Sequence, residues 1–207
     1  MRGVERGEIK GTLSPERLAA LIERAQRLDP DAYDALVDAY GQRLFGFLYR
    51  MTGNREDAED LLQEVFLRMV RMLGRYTHQG RFEAWLFRIA ANLGRDRIRG
   101  ARRTPTVISM SGGTADEGDS VSEADWERAA PDDARPDEPL VRREQIGRLE
   151  AALGQLSEAE REVIMLRHYS ELSFAEIARV MDTPLGTALA RAHRGLARLR
   201  RIMEGES

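Results

Sequence analysis

Residues Ser173–Arg201 read SFAEIARVMDTPLGTALARAHRGLARLRR. Ser173 followed three positions later by Glu176 is a capping-box pattern, which starts a short helix carrying Phe174, Ile177, Ala178 and Met181. Asp182-Thr183-Pro184 breaks that helix, with Thr183 placed to cap a second one and Pro184 suited to its first position. On the second helix Leu185, Leu189, Ala192, Leu196 and Leu199 recur at helical spacing. Thr187, Arg191, Arg194, Arg198 and Arg201 recur in the same way on the opposite face. Two short helices joined by a tight turn, the second apolar on one side and arginine-lined on the other, form a helix-turn-helix pattern. Its leucines pack, and its cations suit a DNA groove and the phosphates along it.

The chain has 207 residues, enough for one domain or two small ones. No window approaches the roughly 20 uncharged apolar residues of a membrane span. The opening MRGVERGEIK has no apolar signal-peptide core, so a cytoplasmic protein is expected. There are no cysteines, which excludes disulfides and thiolate metal sites. His78, His168 and His193 lie far apart, without metal-ligand spacing. No nucleophile–base pair, phosphate loop or metal cluster is visible, so neither catalytic residues nor a cofactor is expected.

Net charge is −3, but the charge is segregated. Between Thr104 and Leu140 ten acidic residues face only Arg128 and Arg135, so this window carries −8 and the rest of the chain +5. The same window holds Pro105, Pro131, Pro136, Pro139, Gly112, Gly113 and Gly118 with few large apolar residues, which predicts a disordered acidic linker. Within it Ser122–Trp126 could form a helical turn, with Trp126 as an anchor for a partner. An acidic linker competes electrostatically for arginine faces, so neutralising its ten carboxylates is expected to strengthen DNA binding at low salt. The predicted organisation is all-α. An extension spans 1–28, a helical domain 29–103, the linker 104–140, and a second helical domain 141–207.

The amino-terminal part shows no period-2 alternation. Ser14-Pro15-Glu16 opens a predicted helix with Leu18, Leu21, Ile22, Ala25 and Leu28 on one face, ended by Asp29-Pro30. Tyr33, Leu36, Val37, Tyr40, Leu44, Phe47 and Leu48 mark the next, which stops near Thr52-Gly53. Asn54 caps a long helix whose stripe is Ala58, Leu61, Leu62, Val65, Phe66, Met69, Val70 and Leu73. After the loop Gly74–Gly80, a fourth helix buries Phe82, Trp85, Leu86, Ile89 and Leu93.

Two polar faces stand out. On the third helix Asp57, Glu59, Asp60, Gln63, Glu64 and Arg68 crowd one side, and periodicity alone is equally consistent with a solvated face. On the fourth, Arg88, Asn92, Arg95 and Arg99 fall at helical spacing opposite Trp85, within a stretch of seven arginines from Arg81 to Arg103. Asparagine is unfavourable inside helices, so Asn92 is either incidental or a polar reader of nucleic acid. Arginines supply phosphate contacts and stacking on unstacked bases, and Tyr76, Trp85 and Phe87 could supply aromatic platforms.

Together DAEDLLQEVFLRMVR (Asp57–Arg71), FEAWLFRIAANLGRDRIRGARR (Phe82–Arg103), the acidic linker and LSEAEREVIMLRHYSELSFAEIARVMDTPLGTALARAHRGLARLRR (Leu156–Arg201) resemble an extracytoplasmic-function sigma factor, the small two-domain branch of the sigma-70 family. The resemblance runs from about Asp29 to Arg201. It implies that Asp57, Asp60, Gln63 and Glu64 dock on the clamp coiled coil of the RNA polymerase β′ subunit. It implies that Arg88, Asn92, Arg95 and Arg99 engage the −10 element, with Tyr76 and His78 on the loop that pockets a flipped base; extruding that base costs a few kcal/mol, recovered by stacking and polar contacts. Thr187, Arg191, Arg194 and Arg198 would read the −35 duplex, with the apolar side of that domain on the β flap. An anti-sigma partner is also implied. Members usually carry Val-Lys-Ser-Arg after the Gly-Thr of the recognition helix, whereas here Ala188-Leu189-Ala190-Arg191 follows Gly186-Thr187. Either two DNA contacts are lost, or Leu189 packs in the core on the line from Leu185 to Leu196. Gly195 inside this helix has no sequence-level account. A conventional helix-turn-helix regulator and a degenerate sigma-like interaction protein stand as the alternative functions.

Overall fold

The computed structural model describes residues 13–103 and 139–205, and the side chains of 13–101 and 145–205. Every regular element among them is a helix. Four belong to the amino-terminal part: α1 (Pro15–Gln26), α2 (Pro30–Thr52), α3 (Arg55–Leu73) and α4 (Phe82–Arg103). The carboxy-terminal part has α5 (Pro139–Gly154), α6 (Glu158–Ser170), α7 (Phe174–Val180) and α8 (Leu185–Glu204). Pro139 and Leu140, expected in the linker, already belong to α5. The acidic stretch 104–138, Trp126 included, lies outside the described residues.

Local chemistry sets the helix starts. Ser14 Oγ accepts from the Arg17 amide at 3.3 Å, and Asn54 Oδ1 accepts from the amides of Glu56 and Asp57 at 2.8 and 3.2 Å. Ser173 and Glu176 form the expected capping box, as do Ser157 and Glu160. Each satisfies donors that the first helical turn leaves unpaired. The turn of the helix-turn-helix differs from expectation. Asp182 takes the left-handed conformation (φ 52°), Thr183 donates its amide to the Ala178 carbonyl at 2.9 Å, and Pro184 occupies the cap position without a side-chain hydrogen bond. Thr183 therefore closes the preceding helix instead of capping α8.

The amino-terminal helices pack around Leu36, Leu44, Phe47, Leu48, Leu86 and Phe87, all fully buried. Four residues assigned to apolar stripes lie outside. Leu28 is 75% exposed because the chain turns left-handed there, and Val37, Val70 and Leu185 stand exposed at the edge of their stripes. Phe87, expected as a platform for bases, is buried edge-on against Phe47 with centroids 5.7 Å apart.

The two helical groups share one continuous apolar core, with α6 lying on α2. Gly46 permits this contact, since a Cβ there would lie 2.5 Å from Tyr169 Cε1. Around it Arg43 Nε donates to the Tyr169 carbonyl at 2.7 Å, Arg161 Nη1 to the Met51 carbonyl at 3.4 Å, and Arg50 pairs with Glu150 at 3.5 Å. Gly195 likewise lets α8 cross α6, because its Cβ would meet Ile164 Cδ1 at 2.8 Å and Glu160 Cβ at 3.1 Å. The helix penalty of that glycine is the cost of close packing.

Candidate nucleic-acid and polymerase interface

One side of α4 (Phe82, Leu86, Ile89, Ala90 and Leu93) is buried, which turns Arg88, Asn92 and Arg99 out to solvent. Trp85, expected on the buried side, is half-exposed and borders the polar face. Arg95 is half-buried. Its Nη2 donates to Asn92 Oδ1 at 2.5 Å and its Nε to the Ala91 carbonyl at 3.3 Å. This bond holds the Asn92 carboxamide in one orientation, with its NH2 group turned from the arginine. Arg99 pairs with Asp96.

Beside this face, the loop between α3 and α4 folds back on Trp85. The Tyr76 ring lies 4.8 Å from Trp85, 5.7 Å from Phe82 and 6.0 Å from His78. A cavity of about 230 Å³ opens there, bounded by Tyr76, Thr77, Trp85 and Arg88 and, from α7, by Glu176 and Arg179. Aromatic faces, a guanidinium and a neutral phenol share its wall, and burial pushes the Tyr76 hydroxyl above its usual range. Such a wall can stack an unpaired base and bond its edge.

On α3, Asp57 bonds to Arg97 of α4, and Asp60 lies 3.9 Å from the same guanidinium. Glu64 pairs with Arg68 at 2.7 Å, and Gln63 is exposed. Asp57, Asp60, Glu64, Arg68 and Arg97 line a groove of about 660 Å³ between α3 and α4, and Gln63 lies outside its lining. Arg97 was not singled out from sequence, because it falls off the line of Arg88, Asn92, Arg95 and Arg99. Its one signal is spacing: it stands on the flank of α4 that meets the acidic helix.

On α8 the inward positions are small: Ala188, Ala190, Ala192 and Gly195 are buried, while Leu189, Leu196 and Leu199 are half-buried against the core. The stripe expected from Leu185 is therefore an alanine–glycine seam flanked by leucines. Leu189 packs, and Ala190 is 8% exposed, so the altered positions lie mostly inside. Thr187 and Arg191 are half-exposed, and Arg194 and Arg198 are exposed. Arg194 Nε lies 4.0 Å from Glu160.

Sequence also missed Glu162, which is buried on α6. Arg95 Nε lies 3.7 Å away, and Arg191 and Glu158 complete its charged surroundings. Burial outweighs both arginines and pushes its carboxyl up to about 6. No group of three His, Asp or Glu side chains among the described residues could hold a metal ion.

Residues 36–104 match the family described as Sigma-70 region 2, and residues 146–199 match Sigma-70, region 4. A Bacillus subtilis protein, ECF RNA polymerase sigma factor SigW, is 32% identical over 180 residues, covering 87% of this chain and 93% of its own. The chain belongs to the extracytoplasmic-function sigma factors. RNA polymerase sigma factor CarQ of Myxococcus xanthus is 37% identical over 182 residues, covering 88% and 95% of the two chains. Among solved structures the fold is similar to CnrH in complex with the cytosolic domain of CnrY, with TM-score 0.63, 22% identity, and 91% and 97% coverage. It is also similar to the sigma factor RpoE in complex with the anti-sigma factor NepR from Bartonella quintana, with TM-score 0.56, 18% identity, and 93% and 97% coverage. A sigma factor binds core RNA polymerase and directs it to promoters, and that is the function of this chain. No helix among the described residues is long and apolar enough to cross a membrane.

Proposed function

We propose that the two polar faces divide promoter recognition between them, in domains spanning 29–103 and 139–207 joined by the connector 104–138. Arg88, Asn92, Arg95 and Arg99, with Tyr76 and His78 on the adjoining loop, engage the −10 element as it melts. Thr187, Arg191, Arg194 and Arg198 engage the −35 duplex. Asp57, Asp60, Gln63 and Glu64 dock on the polymerase β′ clamp coiled coil, with Arg97 holding Asp57 in place. The carboxy-terminal apolar side meets the β flap.

The observation that carries this reading is the construction of α4. Its buried side fixes the helix, and its polar side sets exposed Arg88 and Arg99, half-buried Arg95 and a constrained asparagine beside an aromatic-walled cavity. Phosphate contacts position such a surface, while stacking and carboxamide bonds read the exposed bases. Binding, not chemistry, is the work of the sigma factor family, and this chain works beside RNA polymerase in the cytoplasm. Both similar structures hold a partner described as CnrY or as the anti-sigma factor NepR. An anti-sigma factor is the corresponding partner for this chain.

Permanganate footprinting of unpaired thymines tests the division. Holoenzyme carrying Asn92→Ala or Arg88→Ala should bind core polymerase normally and open the −10 region less. Arg198→Ala should weaken the duplex contact upstream and leave opening on a pre-melted template unchanged. Full opening with both α4 variants would refute the assignment.

A further inference from the structure

The geometry points to Gln26 as a positioning residue for the promoter-reading loop: from the end of α1, its carboxamide fixes the backbone that presents Tyr76. This rests on the proposed reading of the Gly74–Gly80 loop. It gives a role to α1, which precedes the matched region 2 segment.

The NH2 group of Gln26 donates to the Leu73 carbonyl at 3.1 Å and to the Tyr76 carbonyl at 2.6 Å. Leu73 ends α3, so its carbonyl is among those a helix terminus leaves without an intrahelical partner. Tyr76 itself donates its amide to Leu73 at 3.0 Å, and Arg75 to Met72 at 3.0 Å. Beyond Tyr76, no backbone–backbone hydrogen bond among the described residues involves positions 77–80. The backbone at the near end of the loop is therefore held by two successive turn bonds and one side chain, while the Tyr76 ring packs on Phe82 and Trp85. The amide orientation follows from its partners, because only the NH2 side can donate to two carbonyls.

The anchor is itself rigid. Leu21, Ile22 and Ala25 are buried against the neighbouring helices, and Arg24 Nε bonds Asp29 at 2.7 Å across the α1–α2 corner. Gln26, half-buried as the last residue of α1, inherits that fixed position. Its reach ends at the residue whose ring meets Trp85 at 4.8 Å and walls the cavity. Releasing both bonds frees the Tyr76 carbonyl and loosens the angle at which its ring faces an unpaired base. Recognition by stacking and edge contacts is sensitive to such displacements.

The test separates positioning from simple support of the fold. Holoenzyme is reconstituted with wild type, Gln26→Ala, Gln26→Glu (isosteric, without donors) and Gln26→Lys (donors restored). The probe is a fluorescent non-template −10 oligonucleotide taken from the protein's own mapped start sites, made with each of the four bases at the flipped position. Loss of the two bonds should lower the preferred-to-disfavoured affinity ratio by about tenfold for Ala and Glu. Lys should recover most of it, and core binding should be unchanged in all three. An unchanged ratio in both Ala and Glu overturns the proposal, even if their thermal stability falls. A wild-type holoenzyme without base preference overturns the reading of the loop instead.

Discussion

Gly195→Ala tests how α8 is seated. In an open helix interior, alanine is favoured over glycine by about 1 kcal/mol. Here the new Cβ would stand 2.8 Å from Ile164 Cδ1 and 3.1 Å from Glu160 Cβ. Ile164 is 6% exposed and its neighbours Val163 and Leu166 are fully buried, so α6 has little room to retreat. Overpacking of this kind costs about 1–3 kcal/mol. Set against the helix gain, the net loss should be about 1 kcal/mol. Ile164→Val removes the nearer contact atom and costs about 1 kcal/mol alone. In the Gly195→Ala background it also relieves the clash, so the double variant should be more stable than additivity allows by about 1 kcal/mol. Urea unfolding followed by far-ultraviolet circular dichroism gives all four stabilities. A Gly195→Ala protein more stable than wild type, or strict additivity, would refute the close crossing.

Three further outcomes follow from the same geometry. Glu162 is raised from 4.5 to about 6, so its stabilising contribution is complete below pH 4.5 and is lost as pH rises through 6. That loss amounts to about 2 kcal/mol. Glu162→Gln cannot ionise and should therefore gain about this much relative to wild type between pH 4.5 and 7.5 in parallel urea titrations; a constant difference would show that the carboxyl is not buried. Gly46→Ala puts a Cβ 2.5 Å from the Tyr169 ring and should destabilise the full chain by about 1–3 kcal/mol, with Tyr169→Ala suppressing the loss. A more stable Gly46→Ala protein would mean that α2 and α6 do not pack together. Arg198→Ala should reduce the slope of log affinity against log salt on −35 duplex by about 0.9, and an unchanged slope would remove Arg198 from the phosphate contacts.

Most helix boundaries were legible because the determining chemistry is local; the start of α8 was not, since Thr183 closes the preceding helix there. Ser14, Asn54 and Ser173 cap amides two or three residues away, and Gly53 ends α2 in the left-handed conformation (φ 71°). Stripe edges were less legible, because periodicity reports direction but not the width of the neighbour. Val37, Val70 and Leu185 fit the helical spacing of their stripes yet are exposed. Glycines 46 and 195 carry no local signal, since their reason is a residue 123 or 31 positions away along the chain. Glu162 carries no local signal either, because its burial comes from packing beside Arg95 of α4 and Arg191 of α8. The polar faces of α4 and α8 were readable from helical spacing, but their buried faces only in part, because Trp85 and Leu185 lie at the rim and small residues line the α8 seam. Arg97 and Gln26 act across elements and escaped that pattern.

Run-off transcription with purified core RNA polymerase and this protein, on a pool of genomic fragments from its host, tests the central claim most directly. Discrete transcripts that require both components are predicted, with start sites that share one −10 and one −35 sequence. Absence of transcripts from a protein that co-elutes with core would contradict promoter recognition, and failure to co-elute would contradict sigma function itself.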